Sequence, residues 1–402
     1  MPGENVTKVQ CTAGPMRCHS GGLRSILTGE ITVFHLITGV LALYVFWRMV
    51  WLQRWPQVLK VLLGVLILAA AEHHLVTRHF FGSMASPEIP GPLLMMLGCA
   101  FGALIISAMA LLVLDIAALL PRFRKALTKP RLRATVGVAA IALSALGVWQ
   151  AVRVPDVREV EITLAQLPAE LDGLQLVQLT DLHASRLLQR PWLEAVVAKT
   201  NALEPDLLVI TGDLVDGTVA ARTRDVEPLR ELHARLGVYA IPGNHEYYAE
   251  YQQWLDHFAQ MGLPMLLNSH VTIEDRSVSL VLAGVTDPAA ARFGQPLPDI
   301  DAALAGVPKD AAVILLSHRP LAAADNALAG VDLQLSGHTH GGQVLGMHWV
   351  TQAFNQGYVS GEYAVGSMRL YVSNGTGLWN GFPIRLGKPS EITRITLRAA
   401  KG

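Results

Sequence analysis

The sequence predicts an α/β layered domain preceded by four membrane-spanning helices, and three observations lead to that fold class. Of the 402 residues, 51% are hydrophobic and only 16% are charged, whereas soluble domains carry about 25% charged residues. The long apolar runs lie before residue 154. After residue 155, short apolar runs alternate with helix-like stretches, which is typical of α/β domains. We therefore expect two domains, residues 1–154 and 155–402.

Four apolar runs in the first domain are long enough to cross a membrane, which takes about 20 mostly apolar residues. Buried helices of a soluble protein are the alternative, and four such runs with short basic connectors argue against it. The runs are ITVFHLITGVLALYVFW (31–47), QVLKVLLGVLILAAAEHHLV (57–76), PLLMMLGCAFGALIISAMALLVLDIAALL (92–120) and ATVGVAAIALSALGVWQAV (134–152).

Basic residues in the connectors predict how the helices are oriented. The third connector contains PRFRKALTKPRLR (121–133), and the first contains Arg48, Arg54 and Lys60, whereas the second has Arg78 alone. The basic residues of the N-terminal segment argue mildly for the opposite orientation. We expect a multi-pass protein of the cytoplasmic membrane whose C-terminal domain lies outside the cytoplasm.

Ionisable side chains within the apolar runs have two interpretations. Glu72, His73, His74 and His79 near the end of the second run can bind a metal or haem, but polar groups at a helix end are more often solvated, and we favour solvation. Asp115 lies deeper, where ionisable groups usually have a partner. A partner inside the bundle is favoured there over a transport pathway.

The second domain is predicted to contain eight strands and two amphipathic helices, PWLEAVVAKTNAL (191–203) and EPLRELHARL (227–236). Alternating polar and apolar residues or short apolar runs bounded by turns indicate the strands. They are VREVEITL (157–164), LQLVQLT (174–180), DLLVIT (206–211), GVYAIP (237–242), SLVLAGV (279–285), AAVILLS (311–317), DLQLS (332–336) and RLYVS (369–373).

Side chains that bind metals follow five of these strands directly. Ligand sites of α/β domains cluster at strand ends. One histidine at a strand end is more often a hydrogen-bonded structural residue, but five such segments together predict a metal site. They are Asp181-Leu182-His183, Gly212-Asp213-Leu214-Val215-Asp216, Gly243-Asn244-His245-Glu246, His318-Arg319-Pro320 and Gly337-His338-Thr339-His340.

The last of these segments, GHTHGGQ (337–343), places two histidines one residue apart among three glycines. Side chains one residue apart on an extended chain point to opposite faces. A turn between His338 and His340 would aim both at one place, and glycines permit the close approaches and positive φ angles of such a turn.

The motifs DLH, GDLVD, GNHE, SH before RP, and GHTH, in this order, resemble the five motifs of the calcineurin-like metallophosphoesterases. The resemblance covers residues 157–396 and implies a two-sheet α/β/β/α sandwich. GNHEYY, GHTHGGQ and the closing SNGTG, PIR and EI segments resemble the membrane-associated, YkuE-like branch. That branch includes cell-envelope phosphodiesterases and some UDP-diacylglucosamine pyrophosphatases. KPSEI (388–392) departs from the pattern, because Ser390 separates the proline from the glutamate.

The resemblance implies a centre for two divalent metal ions, which activate a shared water and hold the phosphoryl oxygens. Ligation by nitrogen and oxygen without thiolate suits Mn²⁺, Fe or Zn²⁺, and no cysteine follows residue 100. His245 is implied to protonate the leaving oxygen or to stabilise charge there. The implied ligands are Asp181, His183 and His340 for one ion, Asn244, His318 and His338 for the other, and Asp213 between both.

Four further residues near these motifs have two possible roles each. Glu246 and Asp216 either orient the ligands or make ordinary capping and hydrogen bonds. Arg319 and Arg385 can approach the substrate phosphate, although surface or structural roles are favoured for both.

These observations predict a membrane-anchored, dinuclear-metal phosphohydrolase that hydrolyses a phosphoester or pyrophosphate bond of a membrane or cell-envelope substrate. A phosphodiesterase is the favoured activity. Lipid-linked phosphates are reachable, and membrane lipid is an expected partner. Lys+Arg and Asp+Glu both number 32, so no basic excess favours nucleic-acid binding. The alternatives are a non-catalytic, phosphate-binding regulator attached to a membrane sensor or transport bundle, and an enzyme that faces the cytoplasm.

Overall fold

The computed structural model describes residues 21–84 and 86–400, so the start of the predicted first domain lies outside the described residues. Within the described chain, four helical stretches are long and apolar enough to cross a membrane, in agreement with the four predicted runs. A short helix, α4, occupies the basic third connector. The N-terminal helices are α1 (Gly21–Phe46, continued by a π-helical turn Trp47–Trp51), α2 (Gln57–Phe80), α3 (Gly91–Ala117), α4 (Pro121–Leu127) and α5 (Pro130–Val152).

Eleven strands and seven α-helices follow in the described part of the chain. The strands are β1 (Asp156–Leu164), β2 (Gln175–Leu179), β3 (Leu207–Thr211), β4 (Val238–Ile241), β5 (Ser269–Asp275), β6 (Val278–Gly284), β7 (Ala312–Leu316), β8 (Leu333–Ser336), β9 (Gly361–Val365), β10 (Met368–Val372) and β11 (Glu391–Ala399). The helices are α6 (Arg190–Asn201), α7 (Val219–Val226), α8 (Asn244–Tyr248), α9 (Tyr251–Gln260), α10 (Ile300–Ala303), α11 (Ala323–Leu328) and α12 (His348–Phe354).

The strands form two mixed sheets, with the orders β1-β11-β2-β3-β4 and β5-β6-β7-β8-β10-β9. Apolar residues from both sheets, such as Leu176 and Ile314, form one buried cluster between them. Helices α6 and α9 cover the other face of the first sheet, where Val196 and Trp254 are buried. A third cluster, which includes Ala303 and Ala323, covers the second sheet. This is the predicted α/β/β/α sandwich.

All eight predicted strands are present, but the prediction of a helix at EPLRELHARL is wrong. Only the 3₁₀ turn Glu227–Glu231 is helical there. The chain beyond it is extended beside the start of β3, because Arg235 and Leu236 donate backbone hydrogen bonds to the carbonyls of Pro205 and Asp206. Tertiary hydrogen bonds therefore override the helical pattern.

The first sheet places the ends of β2, β3 and β4 on the side of the membrane helices. Helix α5 ends at Val152, and β1 begins at Asp156, which pairs in parallel with Glu391 at the start of β11. Strand β11 is antiparallel to β2, and its Thr393 pairs with Gln178 near the end of β2. The edge at which β2 ends is therefore the edge at which the chain leaves α5.

The sandwich packs directly on α3. Phe382 and Ile384, from the segment before β11, share an apolar cluster with Phe101 and Leu104 of α3. A Cβ atom at Gly102 would lie only 2.6 Å from Ile384 Cδ1. Small residues in spanning helices permit such close packing, so the helices and the sandwich form a continuous interface.

The connector between α2 and α3 also docks on the sandwich. The Ser86 hydroxyl donates to the Asp216 carbonyl at 2.9 Å. Glu88 forms ion pairs with Arg186 and Arg222. This connector therefore lies against the segment that carries Asp216.

Three polar side chains of α2, Glu72, His73 and His74, make hydrogen bonds. Glu72 accepts from His35 at 2.7 Å, and His73 donates to the Ala70 carbonyl. His74 is buried and donates from Nε2 to the Gly381 carbonyl of the sandwich at 2.7 Å. The expectation of solvation is therefore wrong for His74, because the sandwich covers it.

Asp115 has partners within the bundle, as predicted. It accepts hydrogen bonds from Tyr44 Oη at 2.7 Å, Arg48 Nε at 2.8 Å and Arg133 Nη2 at 2.6 Å. The carboxylate joins α1, α3 and α5 close to the basic third connector.

Candidate metal centre

Ligand-type side chains follow the ends of β2, β3, β4, β7 and β8, and several of them have unusual backbone conformations. A non-glycine residue in the left-handed region costs of order 1–3 kcal/mol, and such residues cluster at functional sites. The backbone is thus strained where the expected ligands lie. Five of the seven expected ligands have φ between 46° and 69°, namely Asp181, His183, Asp213, His338 and His340.

The turn in GHTHGGQ sends its two histidines to different neighbours. The backbone alternates between left- and right-handed conformations, with φ of 69° at His338, −77° at Thr339 and 49° at His340. The His338 ring lies 5.1 Å from the ring of His318, and the His340 ring lies 5.2 Å from that of His183. Each imidazole of the pair therefore belongs to a separate cluster.

Two clusters of ligand atoms share the space between the strand ends, and a third group, His183, Asp213 and His245, overlaps both. In each cluster, the three ligand atoms lie within 4.8 Å of one another. Asp213 Oδ2 lies 3.2 Å from His318 Nε2 and 3.7 Å from His183 Nε2, so this carboxylate stands between the clusters. Asn244 Oδ1, at 3.2 Å from His318 Nε2, belongs with the second. The clusters are Asp181, His183 and His340, and Asp213, His318 and His338.

The ligand-type atoms are placed to bind metal ions, because they do not all find hydrogen-bond partners among themselves. His183 Nε2 is buried and has no hydrogen-bond partner among the described residues. The nearest carboxylate oxygens, of Asp181 and Asp213, are 3.8 and 3.7 Å away, which is too long for a hydrogen bond. An unpartnered buried nitrogen costs stability, and a divalent ion bound by nitrogen and oxygen would satisfy it.

Asp216 orients two imidazoles toward the centre. Its Oδ1 accepts from His183 Nδ1 at 3.0 Å and from His245 Nδ1 at 2.5 Å. Both Nε2 atoms are thereby left to face the centre, and that of His245 lies 3.9 Å from Asp213 Oδ2. A carboxylate behind a metal-binding histidine commonly sets its tautomer and ring orientation.

Glu246 ties the β3 and β4 loops together. Its carboxylate accepts backbone hydrogen bonds from Gly243 at 2.6 Å, Asp213 at 3.1 Å and Leu214 at 2.7 Å. Burial and the nearby Asp213 carboxylate raise the pKa of Glu246 to about 7. Glu246 therefore holds the loop of Asp213 beside that of Asn244.

The electrostatics of the buried site separate neutral from charged groups. Burial and neighbouring cationic groups lower the pKa values of His338 and His340 well below the usual range, which keeps both imidazoles neutral, as metal ligands must be. Burial would raise the pKa of Asp216, but the two imidazoles bonded to it lower that pKa to about 2. Burial would lower the pKa of His245, but Asp213 and Asp216 raise it to about 9.

The two arginines expected near the substrate occupy different positions. Arg319 is partly exposed and donates to Asp287 at 3.0 Å. Arg385 is fully buried and donates to the carbonyls of His340 at 3.1 Å, Asn374 at 2.6 Å and Gly377 at 2.8 Å. Its Nη1 and Nη2 groups donate to backbone carbonyls, so the structure gives Arg385 a bracing position behind the His340 loop.

Sequence reasoning missed three residues around the clusters. The Thr211 carbonyl accepts from His318 Nδ1 at 2.8 Å, and a backbone contact leaves no signature in the sequence. The Tyr248 hydroxyl accepts from Asn244 Nδ2, and its ring lies 5.0 Å from that of His245. Asn374 has a buried, unpartnered Oδ1 in front of Gly341. Tyr248 and Asn374 lie within the motifs GNHEYY and SNGTG, so these motifs were the signal that could have identified them.

The membrane connector forms part of the wall beside the centre. A cavity of about 160 Å³ is lined by Ser86 and Glu88 from the connector and by Thr218, His245 and Tyr248 from the sandwich. The surroundings of His245 are thus built jointly by the sandwich and the connector.

Comparison with known proteins gives a consistent result. Residues 174–342 match the model of the calcineurin-like phosphoesterase family. A zebrafish protein named transmembrane protein with metallophosphoesterase domain is 36% identical over 272 residues, which are 65% of this chain and 62% of that protein. This chain thus spans less than two thirds of the length of that relative.

A shorter bacterial relative is matched almost completely. The metallophosphoesterase YkuE of Bacillus subtilis is 31% identical over 277 residues, which are 65% of this chain and 94% of that protein. Among solved structures, the NAD nucleotidase of Haemophilus influenzae has a TM-score of 0.35 and 15% identity, over 51% of this chain and 45% of that chain. That similarity is too low to bear on function.

Proposed function

Because the chain belongs to the calcineurin-like phosphoesterase family, we propose that it is a membrane-anchored phosphodiesterase whose substrate presents its phosphoester or pyrophosphate bond at the membrane surface. The family uses a dinuclear divalent metal centre, and the ligand-type clusters fit one. A metal-dependent phosphoesterase explains these clusters better than the alternative of a non-catalytic regulator.

The observation that carries this proposal is the pair of ligand clusters on either side of Asp213. Asp213 Oδ2 faces both sides, at 3.2 Å from His318 Nε2 and 3.7 Å from His183 Nε2, and Oδ1 accepts from the His245 backbone N–H. When bound, the ions supply positive charge to the phosphoryl oxygens and lower the pKa of water. The residues proposed to hold them are Asp181, His183 and His340 on one side, Asn244, His318 and His338 on the other, and Asp213 between them.

His245 is proposed to handle the leaving-group proton. Its Nδ1 is engaged by Asp216, so its Nε2 faces the space in front of Asp213. The imidazole is about 10% exposed and is therefore reachable by a bound substrate. A fixed imidazole with one nitrogen turned to the reacting group suits general acid catalysis.

A substrate at the membrane surface is supported by the topology of the first sheet. The strand ends that carry Asp181, Asp213 and Asn244 lie at the edge where α5 delivers the chain to β1. The connector that docks beside His245 comes from the same end of the bundle. The short linker after Val152 keeps the centre near the bilayer.

The side of the membrane is proposed from charge. The basic third connector is expected to remain in the cytoplasm, which places the opposite end of the bundle, and the site, outside. A periplasm-dependent reporter fused to the C-terminus should be active, and a silent but expressed fusion would reverse this orientation.

The activity is tested with the full chain in lipid nanodiscs. With Mn²⁺, it should hydrolyse bis(p-nitrophenyl) phosphate, and both Asp213→Asn and His245→Ala should abolish hydrolysis. Asp310→Asn is the matched control, because Asp310 is an exposed carboxylate before β7, at the opposite end of that strand from the site. Full activity in both site variants would refute the assignment.

A further inference from the structure

Helix α12 presents its apolar side chains outward. Trp349, Val350, Ala353 and Phe354 lie one and four residues apart and so share one helix face. Trp349 is 69% exposed and Phe354 is 81% exposed, and Leu345, just before the helix, is 73% exposed. A helix on a water-facing surface shows the reverse arrangement, so this face requires an apolar covering.

The segment that leads into α12 is already part of the contact with the membrane helices. Val344 and Met347 belong to the apolar cluster that contains Leu104 and Leu111 of α3. A Cβ atom at Gly346 would lie 2.6 Å from the Met109 side chain. The chain therefore enters α12 directly from the surface of a spanning helix.

Depth along α3 places this contact within the hydrocarbon layer. A hydrocarbon core of about 30 Å corresponds to about 20 helical residues. Counted back from Ala117, next to the basic connector, this length begins near Leu97. Met109 lies well inside that interval, and Leu345 and Met347 flank the glycine that touches it.

We propose that Leu345 and the apolar face of α12 insert into the hydrocarbon layer beside α3. The occupant of this face is lipid hydrocarbon, because the face continues the lipid-exposed surface of α3 and contains no charged residue. Trp349 suits the boundary between hydrocarbon and headgroups. The polar side chains of the helix are on its other face, where Gln352 donates to the Gly357 carbonyl.

The contact of α12 with lipid does not depend on the proposed phosphodiesterase activity. It does affect how a groove on the sandwich surface is placed relative to the bilayer. A groove of about 250 Å³ extends from Leu345 and His348 at α12 to Gly341 in the GHTHGGQ loop, and exposed Lys388 lines it. With α12 inserted, one end of this groove opens at the lipid surface.

The test measures where α12 lies in the full chain. Cys11, Cys18 and Cys99 are replaced by serine, and Phe354→Cys is labelled with an environment-sensitive nitrobenzoxadiazole dye in phosphatidylcholine nanodiscs. Nanodiscs with lipid spin-labelled on its acyl chain should reduce the emission at least twofold. Lys309→Cys is the control, because Lys309 is exposed at the strand end far from the site, and its label should be quenched by iodide but not by lipid.

The proposal fails if the label at position 354 is quenched by iodide as strongly as the control. It also fails if that label is protected from both iodide and spin-labelled lipid, because a protein partner or a second copy would then cover α12. Trp349→Cys provides a second position on the same face if Phe354→Cys does not fold. Hydrolysis of bis(p-nitrophenyl) phosphate checks the fold, and loss of this activity alone leaves the lipid-contact result unaffected.

Discussion

Two carboxylate clusters in this protein differ in whether their polar atoms have partners. Within the helix bundle, Asp115 is met by one hydroxyl and two guanidinium groups at hydrogen-bond distance. At the strand ends, Asp213 is surrounded by imidazole nitrogens, and the nearby His183 Nε2 has no partner. The first cluster is closed by the protein itself and serves the fold. The second leaves donor atoms unsatisfied and is therefore suited to bind a ligand.

The largest expected effect comes from Asp213→Asn. The change removes the charge between the two ligand clusters, so bound metal should fall and hydrolysis should drop about 10³-fold or more, since several kcal/mol of transition-state stabilisation depend on the metals. Metal content by mass spectrometry and the hydrolysis rate measure this. Removal of metal from the unmodified protein by a chelator should cause the same loss of hydrolysis. If Asp213→Asn bound as much metal as the unmodified protein, Asp213 would not be a ligand and the contrast with Asp115 would fail.

Asp115→Asn should act on stability instead. Buried Arg133 would lose its charged partner, which costs about 3–5 kcal/mol for a buried ion pair. Thermal unfolding in nanodiscs should shift downward, while the metal content of the protein that remains folded should stay unchanged. A fall in metal content at temperatures where the variant is folded would show that the two clusters are coupled.

Asp216→Asn should have a smaller effect on the metal centre. The amide can present its NH₂ group where His183 and His245 need an acceptor, so both rings lose their fixed orientation. Loss of a carboxylate behind a ligating histidine typically costs about 10–100-fold in metal affinity or activity. Metal titration and hydrolysis rates check this, and Asp225→Asn, on α7 at the sandwich surface, is the control. Unchanged values in Asp216→Asn would show that it does not orient the imidazoles.

The contact between the two regions is tested by Gly102→Ala. The new methyl group would lie 2.4 Å from Ser144 Oγ and 2.6 Å from Ile384 Cδ1, and overpacking of this kind costs about 1–3 kcal/mol. Gly39→Ala is the matched control, because its nearest neighbour, Glu72 Oε1, is at 3.5 Å. Equal melting temperatures for the two variants would contradict the packed interface.

Prediction from the sequence succeeded where the pattern was local. The apolar runs predicted four helices because length and composition alone determine whether a helix can span a membrane. Eight strands were read from short apolar segments. The strands β5, β9 and β11 were missed because charged or small residues interrupt their apolar pattern, as in EITRITLRA. Such strands are stabilised by pairing with neighbours, and a single segment does not reveal its neighbours.

In the candidate site, too, local patterns were predictable from the sequence and contacts between distant segments were not. The order of the strand-end motifs is a property of the chain, so the ligand-type residues could be named from the sequence. The bracing position of Arg385 could not, because its acceptors are backbone carbonyls of the His340 loop and of the segment after β10. The contact of His74 with Gly381 was also hidden, since the two residues are far apart in sequence.

By itself, the sequence determined the membrane helices, the family resemblance and the identity of the ligand-type residues, because each depends on composition or on spacing along the chain. Only the tertiary structure decided that the strand ends face the helices and that α12 exposes its apolar face. Those features arise from the pairing of β11 between β1 and β2 and from packing on α3. Pairing and packing join distant segments, and local sequence patterns do not encode which segments meet.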